Sequence, residues 1–178
     1  MRQMLVRGFR CPKAHGVGRV FDGFGALFLG RRVASYEGQA ALEWNLAADP
    51  GEAGSYPFEI DRAASTWQLD LRPAWREAVL DSRSGLGPSA ISGRFHNTLA
   101  EATAALVMGA AERKGARPVV LTGGCFQNPL LAERVLDRLR PRFEVLLARE
   151  VPPGDGGISL GQAMVAAARV REGSESCA

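Results

Sequence analysis

Two short apolar runs, each followed by a glycine-rich turn and then by a helical pattern, constrain the fold of this 178-residue chain most strongly. The first run is Val119-Val120-Leu121, which continues as the segment TGGCFQNPLL. The second is Phe143–Leu147, which precedes the segment PPGDGG at 152–157. The first run is continuous, as is typical of a buried strand, and the second, which contains Glu144, is predicted to be another apolar strand. The sequence therefore predicts α/β layering with a partly parallel sheet.

Helices account for most of the remaining pattern. Apolar residues repeat at i, i+3, i+4 and i+7 over Val17–Leu29, which predicts a helix that ends at Gly30. Asn128 suits the N-cap of another helix, because Pro129 then occupies its first turn. Further predicted elements are helices over Gln39–Ala48, Ser89–Lys114 and Ile158–Arg169, a helix beginning near Pro73, and short strands over Phe58–Ile60 and Trp67–Leu71. We expect residues 1–170 to form one domain and 171–178 a frayed polar tail.

Composition excludes several classes of protein. The chain is 46% hydrophobic and 23% charged, which is typical of a folded domain. Its net charge is +3, from 22 basic and 19 acidic residues, and the basic residues form no stripe, so we expect no nucleic-acid partner. No apolar stretch approaches the roughly 20 residues of a membrane span, so we expect no membrane contact.

The N-terminal sequence and the cysteines suggest where the protein resides. The N-terminal residues contain too little continuous apolar sequence for a signal peptide. Cys11, Cys125 and Cys177 are far apart and form no CxxC motif, so neither a zinc ribbon nor a disulfide framework is indicated. We expect a cytoplasmic protein, because thiols stay reduced in that compartment.

Gly123 and Gly124 form the first candidate binding turn. Glycines let the backbone approach a ligand closely, and the free amides at the start of the following helix favour negative charge. A phosphate or nucleotide suits such a turn, and the Asn128 side chain would then reach a ligand hydroxyl. The alternative is a tight turn with an ordinary N-cap at Asn128.

Asp155 lies between glycines at the start of the last helix. A carboxylate in that place suits a divalent metal or a metal–phosphate complex, and the alternative is a helix-capping aspartate. Both glycine turns follow neighbouring predicted strands, and ligands of open α/β sheets bind at the carboxyl ends of strands. Two turns at one edge of the sheet favour a ligand site there.

Four other residues have both a functional and a purely structural interpretation. Glu37, beside Gly38, is either a second acid or ribose ligand, or a polar residue of a first helical turn. Asp22 interrupts an apolar helix face and is either paired, ligand-bound or exposed at the helix edge. His96 is expected to be a packed or capping residue, and Cys125 an inert, half-buried thiol. Neither is assigned a catalytic role.

Three sequence blocks carry a resemblance to a known family. They are GRVFDGFGALFLG with YEGQAALE, LTGGCFQNPLL and VPPGDGGISLGQA, with RFHNTLA at 94–100 as a weaker fourth block. In this order they resemble the C-terminal part of the HypF carbamoyltransferases, which mature nickel–iron hydrogenases. The resemblance spans about residues 3–170 and implies the second half of the terminal, kinase-like domain. That domain has an actin/sugar-kinase-like (ribonuclease H-like) fold, with a mixed sheet and flanking helices.

The resemblance implies a reaction and its participants. Members of the family make carbamoyl-adenylate from carbamoyl phosphate and ATP, and pass the carbamoyl group to the C-terminal cysteine of the partner HypE. The implied partners of this chain are therefore a HypE-type acceptor and the missing N-terminal domains, in cis or in trans. The alternatives are a non-catalytic half-domain that binds a partner or dimerises, and a relative of the tRNA threonylcarbamoyl transferases.

The resemblance also assigns roles to matching residues. Gly123, Gly124 and Asn128 match the nucleotide-binding turn. Asp22 and Gly38, with Glu37 beside them, match positions on the ribose and adenine side of the site. Asp155 matches a ligand of a divalent metal. The family completes that metal site with an HxxxH pair, which this chain lacks, so the implied metal site is incomplete here.

Overall fold

A computed structural model of the chain describes residues 2–11, 14–63 and 66–175. The chain divides into two compact units, Met1–Leu46 and Ala47–Ala178. The described part of the first unit contains α1 (Arg2–Arg7), α2 (Val17–Phe28) and α3 (Gln39–Leu46). The elements of the second unit are β1 (Glu59–Asp61), β2 (Gln68–Asp70), α4 (Arg72–Arg83), α5 (Pro88–Lys114), β3 (Val119–Leu121), α6 (Pro129–Leu139), β4 (Val145–Leu147) and α7 (Ile158–Glu175).

The observed elements lie close to their predicted positions. The strand predicted at Val119-Val120-Leu121 is found at those residues, and Asn128 caps α6 as expected. The sequence did not predict α1, because six residues give fewer than two turns in which to detect helical periodicity. The helix α7 continues to Glu175, so the polar tail expected from residue 171 is helical up to that point. The rest of that predicted tail, 176–178, lies outside the described residues.

Aromatic packing joins α2 and α3 in the first unit. Phe24 and Trp44 are fully buried, with ring centroids 6.0 Å apart, and Phe28 stacks on Trp44 at 5.7 Å. Gly25 allows the close approach, because a Cβ atom at this position would lie 2.3 Å from the carbonyl oxygen of Ala40. The core of this unit therefore depends on a glycine between large aromatic side chains.

The core of the second unit is built on the long helix α5. The helix α6 packs against it and turns one face inward, with buried residues spaced four apart as expected of a helix. The residues that fill this part of the core are Ile91, Phe95, Leu99, Leu131, Val135 and Leu139. This packing holds the start of α6, and the turn that precedes it, against a buried helix.

The described strands form two separate sheets of two strands each. The pair β1–β2 is antiparallel and pairs Ile60 with Leu69, so the two short strands predicted in this part of the sequence are present and lie side by side. The pair β3–β4 is parallel, which confirms the predicted parallel arrangement. The mixed sheet that the resemblance implied is thus present here as one antiparallel and one parallel pair, and not as a single sheet. No described helix is long and apolar enough to cross a membrane.

Candidate functional site

The two glycine turns lie at the same edge of the parallel pair. In the register of β3 and β4, Val119 pairs with Val145 and Leu121 pairs with Leu147, so the two strands end side by side. The turn at 122–124 follows one strand, and the segment 151–157 follows the other. This confirms the expectation that both turns meet at the carboxyl ends of neighbouring strands.

Hydrogen bonds hold the two turns together. The Gly123 amide and the Thr122 hydroxyl both donate to the carbonyl of Pro153, the hydroxyl at 3.3 Å. A Cβ atom on Gly154 would lie 3.5 Å from the Cα atom of Gly124. The turns border a cavity of about 500 Å³. Its lining consists of Thr122, Gly123, Gly124, Ala148, Val151, Pro152, Pro153, Gly154, Asp155, Gly157 and Ile158.

The conformation of the first turn requires only one of its two glycines. Gly123 adopts φ +100° and ψ 156°, a conformation that side chains strongly disfavour. Gly124 has no positive φ, and a Cβ atom there would meet no atom within 4 Å. The backbone and the packing therefore explain the glycine at position 123 only. At position 124 the glycine leaves open space beside the cavity.

Asp155 is exposed at the rim of the same cavity. It begins a short 3-10 turn, Asp155–Gly157, immediately before α7. It is the one charged residue among those that line the cavity, and no described group donates a hydrogen bond to its carboxylate. The helix-capping alternative therefore finds no support in the described residues. The carboxylate is free to meet a ligand or an ion.

Asn128 lies below the turn, in the core and not at the cavity surface. It is 6% exposed, its Oδ1 atom accepts a hydrogen bond from the Leu131 amide at 3.2 Å, and its Nδ2 atom lies 2.8 Å from Nε2 of His96. The capping role is confirmed. A direct contact between Asn128 and a nucleotide stays a prediction, and in this geometry both ends of its amide are bonded within the protein.

His96 is a neutral, buried histidine. Its pKa is lowered to about 4, chiefly because a charged imidazole would lose its hydration in the core, with a smaller contribution from the nearby charge of Arg134. Its Nδ1 atom lies 2.7 Å from the carbonyl oxygen of Ser92. The packed or capping role expected for His96 is confirmed. Its direct link to Asn128, 32 residues away in sequence, was missed, because no local pattern signals such a contact.

Asp22, Glu37 and Gly38 lie together in the first unit. They line a cavity of about 270 Å³ between α2 and the segment before α3. Asp22 forms an ion pair with Arg19 at 2.9 Å, so it is paired rather than isolated on the helix edge. Gly38 adopts φ +80°, which explains the glycine at the turn into α3. Glu37 is exposed.

The donor atoms of the described residues limit what metal the chain can hold. No three histidine, cysteine, aspartate or glutamate side chains converge anywhere within 2–11, 14–63 and 66–175. Asp155 therefore fits a metal as one ligand only. Magnesium suits such a place, because it is often held by one or two carboxylates together with water and substrate phosphates.

Cys125 follows the two glycines but is not activated. Burial raises the pKa of its thiol, because the thiolate would lose hydration at this half-buried position. A raised pKa leaves the thiol protonated at neutral pH. The expectation of an inert thiol is therefore confirmed.

Comparison with known proteins identifies the family. Residues 1–162 match the model of the family described as "Carbamoyltransferase, Kae1-like Domain, second subdomain". The chain belongs to the HypF carbamoyltransferase family. It is 31% identical to carbamoyltransferase HypF2 of Cupriavidus necator, over 95% of this chain and 24% of that protein. It is 38% identical to a HypF homolog of the same organism, over 92% of this chain and 43% of that protein.

Solved HypF structures share the fold. A crystal structure described as full-length HypF in the phosphate- and nucleotide-bound form has a TM-score of 0.86 and 35% identity, over 92% of this chain and 22% of that one. The HypF structure of T. kodakarensis has a TM-score of 0.77. The chain thus spans less than half the length of these relatives.

Proposed function

We propose that this chain supplies the nucleotide-binding half of a HypF-type carbamoyltransferase domain. The observation that carries the proposal is the cavity that both glycine turns border at the carboxyl ends of β3 and β4, with Asp155 at its rim. The proposed ligand is ATP or carbamoyl-adenylate. The proposed phosphate side of the site is formed by Gly123, Gly124 and the start of α7.

The chemistry of the cavity supports a phosphate ligand. Its lining offers backbone groups from two turns, and the amides at the start of α7 carry the positive end of the helix dipole. Gly124 leaves room for a ligand atom to approach the backbone. Neither the backbone conformation nor the packing at position 124 requires a glycine, so a bound ligand would account for it. Asn128 contributes by capping α6 and so fixing the end of the first turn.

The charge of Asp155 supports a metal-bound phosphate. A phosphate and a carboxylate repel each other at short range, so a cation is required where both meet. We propose that Asp155 holds one divalent cation, with magnesium as the ion that its oxygen ligand favours. The other protein ligands would come from the part of the HypF domain that this chain does not contain.

Within the first unit, the cavity lined by Asp22, Glu37 and Gly38 is proposed to bind a ribose or adenine group. Glu37 is exposed there, and Asp22 is held in place by Arg19. Carboxylates accept hydrogen bonds from ribose hydroxyls, and Gly38 lets the backbone turn beside them. Replacing Glu37 by Gln tests this assignment separately from the phosphate side.

The proposed acceptor is the C-terminal cysteine of a HypE-type protein. Its thiolate attacks the carbamoyl carbon, a carbon–sulfur bond forms, the bond from that carbon to the phosphate oxygen of the adenylate breaks, and AMP leaves. The chain needs no nucleophile of its own for this step, in agreement with the protonated Cys125. We propose that the reaction takes place in the cytoplasm, and the absence of a CxxC motif among the three cysteines supports this.

Calorimetric titration tests the nucleotide site. The chain is titrated with a non-hydrolysable ATP analogue, with and without magnesium, alongside Asp155→Asn and the control Asp137→Asn, which changes an exposed aspartate of α6. Magnesium is expected to tighten binding about tenfold in the wild type and the control, and not in Asp155→Asn. Equal magnesium dependence in all three proteins contradicts the metal role. In the full-length context, Asp155→Ala is expected to abolish carbamoyl transfer.

Exposed apolar residues on α7 favour a second role, as a partner-binding half-domain. Every described side chain of α7 from Ile158 to Arg171 is exposed. The apolar ones include Ile158, Leu160, Met164, Val165 and Val170. Sedimentation analysis separates the two roles. A dimer that binds no nucleotide favours the second, and a monomer that binds nucleotide favours the first.

A further inference from the structure

A chain of hydrogen bonds runs from α5 to the start of α6. The backbone carbonyl oxygen of Ser92 lies 2.7 Å from Nδ1 of His96. On the other side of the ring, Nε2 of His96 lies 2.8 Å from the side-chain nitrogen Nδ2 of Asn128. The Asn128 Oδ1 atom then accepts from the Leu131 amide at 3.2 Å. His96 is fully buried, so water does not compete for its ring nitrogens.

The short contact between Nδ1 and the Ser92 carbonyl oxygen sets the polarity of this chain, because the Ser92 hydroxyl lies farther from Nδ1, at 3.5 Å. A carbonyl oxygen only accepts, so Nδ1 of His96 carries the proton, and Nε2 presents a lone pair. The Asn128 amide group must then turn its NH₂ toward His96, which leaves Oδ1 for the Leu131 amide. A protonated imidazole would present a second donor to that NH₂ group, so the arrangement requires neutral His96.

Asn128 in turn holds the end of the glycine turn. The backbone amide of Asn128 donates to the backbone carbonyl of Cys125 at 3.3 Å, and the backbone carbonyl of Asn128 accepts from the Ala132 amide at 3.0 Å. Within the same turn, the Phe126 amide donates to the Gly123 carbonyl at 3.0 Å. If the side-chain amide of Asn128 rotated, its Oδ1 atom could no longer accept the hydrogen bond from the Leu131 amide that caps α6. The start of α6 would then no longer support the strained backbone conformation of Gly123.

We propose that His96 is a positioning residue of the glycine turn, because it fixes the Asn128 amide in the one orientation that caps α6. This inference rests on the proposed nucleotide site for its consequence in ligand binding. His96 itself touches no ligand, since it is fully buried and both of its ring nitrogens are bonded within the protein.

Two substitutions separate this role from simple packing. His96→Gln keeps an acceptor that reaches Asn128, and His96→Leu keeps apolar bulk but removes the acceptor. Thr103→Val is the matched control, because it removes another side-chain bond of α5, from Thr103 to the Leu99 carbonyl at 2.7 Å, which has no link to the turn. The three variants and the wild type are compared without and with nucleotide.

Amide hydrogen exchange without nucleotide is the first readout. His96→Leu is expected to speed exchange at Leu131 and Gly123 about tenfold, since one partner of a buried bond is lost. The Val119 amide, bonded to the Glu144 carbonyl, serves as the internal reference. His96→Gln is expected to stay within about threefold of the wild type. Unchanged exchange at Leu131 and Gly123 in His96→Leu overturns the proposal.

Nitrogen NMR of the wild type is the second readout, and it needs no variant to fold. The ring of His96 is expected to be the neutral Nδ1–H tautomer at pH 7, and the Nε2–H tautomer overturns the proposal. Titration with a non-hydrolysable ATP analogue and magnesium is the third. Weaker binding in His96→Leu, restored in His96→Gln, is expected. A wild type that binds no nucleotide refutes the proposed function, while the first two readouts still decide the role of His96.

Discussion

The guanidinium group of Arg134 on α6 donates a 2.7 Å hydrogen bond to the carbonyl oxygen of Gly93 on α5. The same group donates to the carbonyl of Pro50 at 3.1 Å. Pro50 belongs to the loop between α3 and β1. Gly93 lets this loop approach α5, because a Cβ atom at position 93 would lie 2.7 Å from the Asp49 carbonyl oxygen. A buried cation thus joins two helices and a loop through backbone carbonyls.

Replacing Arg134 by Met is expected to lower the free energy of unfolding by about 2–3 kcal/mol, because buried carbonyl oxygens lose their donor. Arg138→Met is the matched control, one turn further along α6. Arg138 pairs with Glu101 at 3.2 Å in a partly exposed place, and its loss is expected to cost less than about 1 kcal/mol. Urea unfolding followed by circular dichroism measures both. An equal decrease in the free energy of unfolding in both variants would contradict the conclusion that the buried hydrogen bonds of Arg134 stabilise the fold more than the surface ion pair of Arg138.

Gly25→Ala is expected to destabilise the packing of α2 on α3. The added methyl group would lie 2.3 Å from the Ala40 carbonyl oxygen, and overpacking of this kind costs roughly 1–3 kcal/mol. Gly18→Ala, at a half-buried position of α2 with open space around its Cβ position, is expected to stabilise the helix by about 0.5–1 kcal/mol. Hydrogen exchange of α3 amides measures both, with faster exchange only in Gly25→Ala.

Stability is expected to fall as the pH is lowered from about 6.5 to about 4. The pKa of His96 is lowered from 6.5 to about 4 in the folded protein, so between these values the unfolded chain binds the extra proton. The lowered pKa corresponds to about 3 kcal/mol of stability, present above pH 6.5 and lost as the pH falls. Unfolding curves at several pH values measure the slope. His96→Gln is expected to reduce it, and His15→Gln, at an exposed position, to leave it unchanged.

The two turn glycines are expected to respond differently to alanine. Gly123→Ala is expected to lower stability by about 1–3 kcal/mol, because its backbone has φ +100°. Gly124→Ala is expected to leave stability within about 0.5 kcal/mol of the wild type and to weaken binding of the ATP analogue, because its methyl group enters space reserved for the ligand. Undiminished binding in Gly124→Ala would remove Gly124 from the site.

Local pattern was sufficient to predict the strand–turn–helix units of this chain. Val119–Leu121 is a strand where a short apolar run ends at a glycine, and Asn128 with Pro129 begins α6. Such features depend on neighbours in sequence, which is why they can be read without a structure. The weakest local signal, at the six residues of α1, was missed.

The sequence by itself determined the order of helices and strands, the two glycine turns and the family to which they belong. Only the tertiary structure decided that Asn128 turns its amide toward His96, that Asp155 stands unbonded at the cavity rim and that Gly124 faces open space. Local backbone preferences act between residues close in sequence. Burial and hydrogen-bond partners depend instead on which distant segments the fold brings together, and those relationships leave no periodic trace in the chain.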